Sequence, residues 1–174
     1  MKRFIAIAAF AIFFGAQACA DDDKFSTGPV IKDYGPVANV DDARITPETK
    51  LKVAFDFAKA AEPGTSNRYL ASAARFLNMH AAAGALPENI EVAVVVHGPA
   101  AMDLVTDERY GSPNANADLI AALIDAGVRI ELCGQTAAFR DIEPEDLLPG
   151  IQISLSAMTA HALLQQDGYT LNPF

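Results

Sequence analysis

Cys133 ends the run Val128-Arg129-Ile130-Glu131-Leu132 and is followed at once by Gly134-Gln135-Thr136. A cysteine where a strand hands over to a helix faces the unpaired amides of the next residues, here those near 135–137. Such a setting stabilises thiolate over thiol. Thiolate is the form that attacks sulfur and binds soft metals. Gly134 lets the backbone turn tightly and leaves room for a ligand or a second sulfur atom. The plainer alternative is an inert core cysteine, one of the commonest roles of this residue. His97, directly after Val92–Val96, is the second candidate, as partner or base for a thiol on the neighbouring strand end. A histidine there also serves simply to satisfy backbone groups. Gly98, Gly134, Gln135 and Thr136 are the expected ligand-binding residues around the two. His80 and His161 both fall inside helical stretches, where packing or surface roles are expected.

Other chemistries find little support. No G-x-G-x-x-G or Walker A pattern follows a strand, so no nucleotide cofactor is expected. H-E-x-x-H, C-x-x-C and the G-x-S-x-G elbow are absent from the sequence. The histidines are dispersed, and a soft-metal pair of Cys133 and His97 is only a minor reading. Asp141, Glu143, Glu145 and Asp146 read as a solvated acidic connector.

The elements that must position these residues follow from periodicity. Leu51–Phe57 alternates as a strand. A helix runs from a Thr65 or Ser66 cap to about Ala83, with Tyr69, Ala73, Phe76, Leu77 and His80 at helical spacing, and Gly84 stops it. Val92–Val96 is a continuous β-branched run, the mark of a strand covered on both faces. A short helix spans about Ala100–Val105, and a turn-rich stretch covers Tyr110–Asn116. Asn114 or Asn116 then caps a helix through Ala126. Val128–Leu132 is a strand, Gln135–Phe139 a short helix, and Ile151–Ile153 a short strand. Ser156 caps a helix to about Gln166, and Gly168-Tyr169-Thr170-Leu171 closes the chain. Strands alternating with helices imply a parallel sheet of four or five strands with helices on both faces. Ligands in such sheets bind beyond the carboxyl ends of the strands. That rule selects Asp56-Phe57, His97-Gly98-Pro99, Cys133 to Thr136 and the Ser154–Ser156 turn.

The whole chain has 174 residues and a formal charge of −9. That balance excludes the basic footprint of a nucleic-acid binder and a polybasic membrane-surface protein. Met1-Lys2-Arg3, an apolar run from Phe4 to Ala16, and Ala18-Cys19-Ala20 read as a secretory leader cut after Ala20. The run is too short to span a membrane. Removing residues 1–20 leaves 154 residues, a charge of −11 and one cysteine, Cys133. A lipoprotein anchored through Cys19 is the weaker alternative, because Ala16-Gln17-Ala18 is a poor lipobox. Residues 21–48, rich in Gly and Pro, read as an extended arm that wraps the domain or a neighbour, and 49–174 as the α/β domain.

Three stretches carry a resemblance. Val92 to Ala100, Leu123 to Thr136 and Leu163 to Tyr169 resemble DsrE/DsrF-like proteins in order and spacing. The likeness covers about residues 51–171. It implies a flavodoxin-like, Rossmann-like three-layer fold, assembly as trimers or hexamers, and sulfur relay through a cysteine persulfide at the position of Cys133. The relay members work in the cytoplasm with dedicated partner subunits, whereas the leader places this chain in the periplasm. Two functions are therefore expected: a sulfur carrier that exchanges sulfur with a donor or acceptor protein, or a non-catalytic oligomeric module that binds a small ligand, a soft metal or a redox partner.

Overall fold

The computed structural model describes residues 24–41 and 43–172. The expected leader, its expected cleavage site and Cys19 lie outside the described residues. Five strands form one parallel sheet: β1 (Leu51–Phe57), β2 (Ile90–Val96), β3 (Arg129–Cys133), β4 (Gln152–Ser154) and β5 (Thr170–Asn172), in the order β4-β3-β2-β1-β5. The helices are α1 (Arg68–Ala82), α2 (Asp107–Tyr110), α3 (Ala117–Asp125), α4 (Gly134–Phe139) and α5 (Ala157–Gln166). The sheet with helices on both faces is the α/β class that the alternation of elements predicts.

Side chains alternate across a strand, so each strand feeds two different layers. Phe55, Phe57, Val92, Val94, Val96, Ile130 and Leu132 point to the larger layer, where they meet Leu70, Leu77, Leu119, Leu123 and Ala137 of α1, α3 and α4. Ala54, Ala93 and Val95 point the other way and meet only Ala160 and Leu164 of α5 among fully buried residues. Strand order explains this asymmetry. The chain steps from β1 to β4 in one direction and returns past all of them to β5. Right-handed crossovers put helices of opposite travel on opposite faces, so among the described residues α5 alone covers the second face. Small Ala54 and Ala93 let that single helix sit close to the sheet.

Several details differ from the periodicity reading, two of them because a capping group is engaged elsewhere. Asn67 caps α1 by accepting from the Tyr69 amide at 2.8 Å. Thr65 instead donates to the Glu62 carbonyl, and Ser66 to the Ala115 carbonyl. Asn116 precedes α3, but its Oδ1 accepts from the Asn67 amide at 2.6 Å. The expected helix near Ala100–Val105 is a 3-10 turn over Gly98–Leu104. Ser156 caps α5 as its position predicts, accepting from the Thr159 amide.

Ahead of β1, the described residues 24–41 pack on α1. Ser26 and Val37 bridge each other, and Ile31 and Val37 are buried. Fully buried Asn78 of α1 holds this segment: its Oδ1 accepts from the amides of Val30 and Ile31, and its Nδ2 donates to the carbonyls of Ile31, Tyr34 and Gly35.

Candidate functional site

The strand register fixes which residues meet above the sheet. Val96 pairs with Leu132, so His97 and Cys133, each one residue further on, stand level on adjacent strands. Asp56 pairs with Val95, and Cys133 with Ser154. By the two-residue period, Asp56, His97, Cys133 and Ser154 all project to the α5 side. On α5 itself, Ala157, Ala160, His161 and Leu164 form the stripe that turns to the sheet. Of these, Asp56, His97, Cys133, Ala157 and His161 converge on one cavity of about 380 Å³, lined also by Gln135, Thr136, Ser156 and Met158.

Cys133 lines this cavity and is 6 % exposed. Burial raises its pKa. Hydrogen bonds to the sulfur from the amides of Thr136, Ala157 and Gln135 and from the Thr136 hydroxyl oppose burial, and the net shift is downward from the ordinary thiol value. Two helix starts supply these donors, α4 through Gln135 and Thr136 and α5 through Ala157. The Thr136 hydroxyl can direct its proton to the sulfur because its oxygen accepts from the Gly98 amide at 3.1 Å.

Both glycines hold the frame without lining the cavity. Gly98 has φ +57°, its amide is taken by Thr136, and its carbonyl accepts from Arg140 Nε at 3.1 Å. A Cβ at Gly134 would stand 2.5 Å from the Ser154 carbonyl oxygen, so only glycine lets β3 turn into α4 against β4. The room that this glycine leaves is filled by that backbone, not by open space for a ligand. Gln135 donates its side-chain amide to the Leu155 carbonyl, tying α4 to the loop before α5.

Opposite Cys133, Asp56 joins two histidines. His97 Nε2 lies 3.2 Å from Asp56 Oδ2, and His161 Nε2 lies 2.8 Å from Oδ1. His161 therefore belongs to the cavity wall, contrary to the packing or surface role expected from its place in a helix. The helical stripe Ala157, Ala160, His161, Leu164 is the signal in the sequence that turns it to the sheet. His80 is a packing residue: its Nδ1 meets the Phe76 carbonyl, and its ring packs on Phe76. The cavity rim is apolar, with Met158 and Leu155 largely exposed. Among the described residues no cluster of three or more His, Cys, Asp or Glu is arranged to hold a metal ion. Among them, too, no helix is long and apolar enough to cross a membrane.

A family model described as DsrE/DsrF-like matches residues 48–173. A comparison with curated proteins finds no match. Two solved structures share the fold. MTH1491 from Methanobacterium thermoautotrophicum, a protein of unknown function, superposes with a TM-score of 0.57 at 21 % identity, over 72 % of this chain and 100 % of its own. The ychN protein from E. coli gives 0.52 at 16 % identity, over 71 % and 100 %.

Proposed function

The chain belongs to the DsrE/DsrF-like family, and from that premise we propose that it carries sulfane sulfur on Cys133. The observation behind this reading is the convergence of three amides and one hydroxyl on the Cys133 sulfur. Those donors lower the cost of a thiolate on Cys133, the form that attacks a sulfane sulfur. In the loading step the Cys133 thiolate attacks the outer sulfur of a donor persulfide, R–S–SH. A new S–S bond forms to Cys133 as the donor's S–S bond breaks. The donor leaves as a thiolate, and the transferred sulfur keeps its proton. His97, level with Cys133 on the neighbouring strand, is the group placed to handle the thiol proton. The leader pattern of residues 1–20 supports a periplasmic site of action, where the donor is a periplasmic persulfide.

Intact mass after incubation with inorganic polysulfide tests the reading. Wild-type protein is expected to gain the mass of one sulfur atom, and Cys133→Ser to gain none. An equal mass gain in the two proteins, or none in wild type, would remove the relay function.

One observation favours a second reading, a non-catalytic binding module: Cys133 is almost fully shielded. That module predicts slow alkylation of Cys133 in the native protein, and the carrier predicts fast alkylation.

A further inference from the structure

Asp56 accepts from two imidazoles on separate oxygens, and the two rings are not equivalent. An ionised carboxylate only accepts, so each ring presents a protonated Nε2 to it. That leaves Nδ1 as the second nitrogen of both. In His161, Nδ1 is buried and has no hydrogen-bond partner among the described residues. Among these residues nothing therefore competes with Asp56 for His161, which is held to the carboxylate through Nε2 alone. The His97 side chain is 33 % exposed against 15 % for His161, so His97 is the more accessible ring.

We propose that Asp56 and His161 are a positioning pair for His97. His161 holds the Asp56 carboxylate, and the carboxylate fixes His97 with Nε2 protonated, leaving Nδ1 as the base for Cys133. The proposal rests on the reading of Cys133 as a working nucleophile. His97 Nδ1 takes the proton from the Cys133 thiol, giving imidazolium and thiolate. After the S–S exchange it returns that proton to the departing donor thiolate. Overall, Cys133–SH and R–S–SH become Cys133–S–SH and R–SH, with no net change in charge or oxidation state. The carboxylate stabilises the transient imidazolium without itself taking the proton.

Full-length wild type is compared with Asp56→Leu, His161→Phe and His161→Gln, the last keeping an N–H donor directed at Asp56. Nitrogen-15 NMR of the histidine rings reads the tautomer, and iodoacetamide reads Cys133 reactivity at neutral pH. In wild type, neutral His97 and His161 are both expected as the Nε2–H form. Asp56→Leu should show a mixed His97 tautomer and alkylation slower by about tenfold, the thiolate fraction that one pK unit represents. His161→Phe should slow alkylation, and His161→Gln should restore it. A wild-type His97 with the proton on Nδ1, or equal alkylation rates in all four proteins, would overturn the positioning pair. Circular dichroism checks folding. Should His161→Phe not fold, the wild-type tautomer and Asp56→Leu decide. The expected tautomers and rates in a protein that takes up no sulfur would leave the pair standing and remove the relay; uptake with unchanged rates would do the reverse.

Discussion

Cys133 is shielded from solvent and still biased toward the thiolate, because burial opposes the charge less than four donors favour it. The sign follows directly. A folded-state pKa below the unfolded one adds stability above the unfolded thiol's range and loses it as pH falls through the folded value. Alkylation of Cys133 by iodoacetamide should therefore persist to lower pH than in the urea-unfolded chain. A rate profile identical in the two states would contradict the donor arrangement. The strand-end position of Cys133 and the helix start after it were readable in the sequence, and so was His97. The Ala157 amide was not, because it reaches the sulfur from a helix that begins 24 positions later in the chain. Asp56 was readable only as a strand end. What joins it to His161 is the return of α5 over the sheet, which no local spacing encodes.

At the scale of elements, periodicity located β1, β2 and β3 well because each is apolar over most of its length, and Ser156 because its cap is local. The strand β5, short and exposed at the sheet edge, was not read as a strand. The α1 cap was misplaced because tertiary contacts claimed Thr65 and Ser66, while Asn116 stands at the N-cap of α3 as expected but turns its side chain to Asn67. The segment ahead of β1 was legible only as Gly- and Pro-rich chain, since its attachment depends on Asn78 of α1. Asn78→Ala removes five hydrogen bonds to the backbone of that segment. Buried amides and carbonyls left unpaired cost about 1–3 kcal/mol each. A lower urea midpoint and faster protease cleavage within residues 26–37 are expected. Unchanged cleavage would show that the segment is held by its apolar residues instead.

Stability of the whole molecule carries the mark of a second carboxylate, Asp103, on the turn after β2. It is 2 % exposed and joins three connections: its Oδ2 accepts from the Ala61 amide and Asn67 Nδ2, while its carbonyl accepts from Asn114 Nδ2. Burial pushes its pKa up more than these donors pull it down. The folded state thus binds this proton more tightly than the unfolded chain. Stability is lost as pH rises from the ordinary carboxylate range through the raised value. Asp103→Asn keeps an acceptor for both donors and removes the charge. Urea midpoints measured from about pH 4 to pH 7 should fall less steeply in the variant than in wild type; equal slopes would show that Asp103 does not titrate within the window. The formal charge of −9 gives no hint of this group, because net charge does not say which acid is buried.

The lone helix over the second face has a consequence for access. The larger layer locks α1, α3 and α4 to the sheet, whereas α5 rests on two alanines and a valine. It is joined to the rest of the chain by a short loop on one side and the edge strand β5 on the other. Free energies of local opening scale with such anchoring, so the C-terminal α5–β5 unit is the first that should detach, well before global unfolding. Detachment would uncover Cys133 by taking away one wall of its cavity, together with Ala157 and His161. A reagent too large for the cavity thus meets a sulfur that has lost part of its activation, and the molecule sorts its reaction partners by whether they fit while the wall is closed.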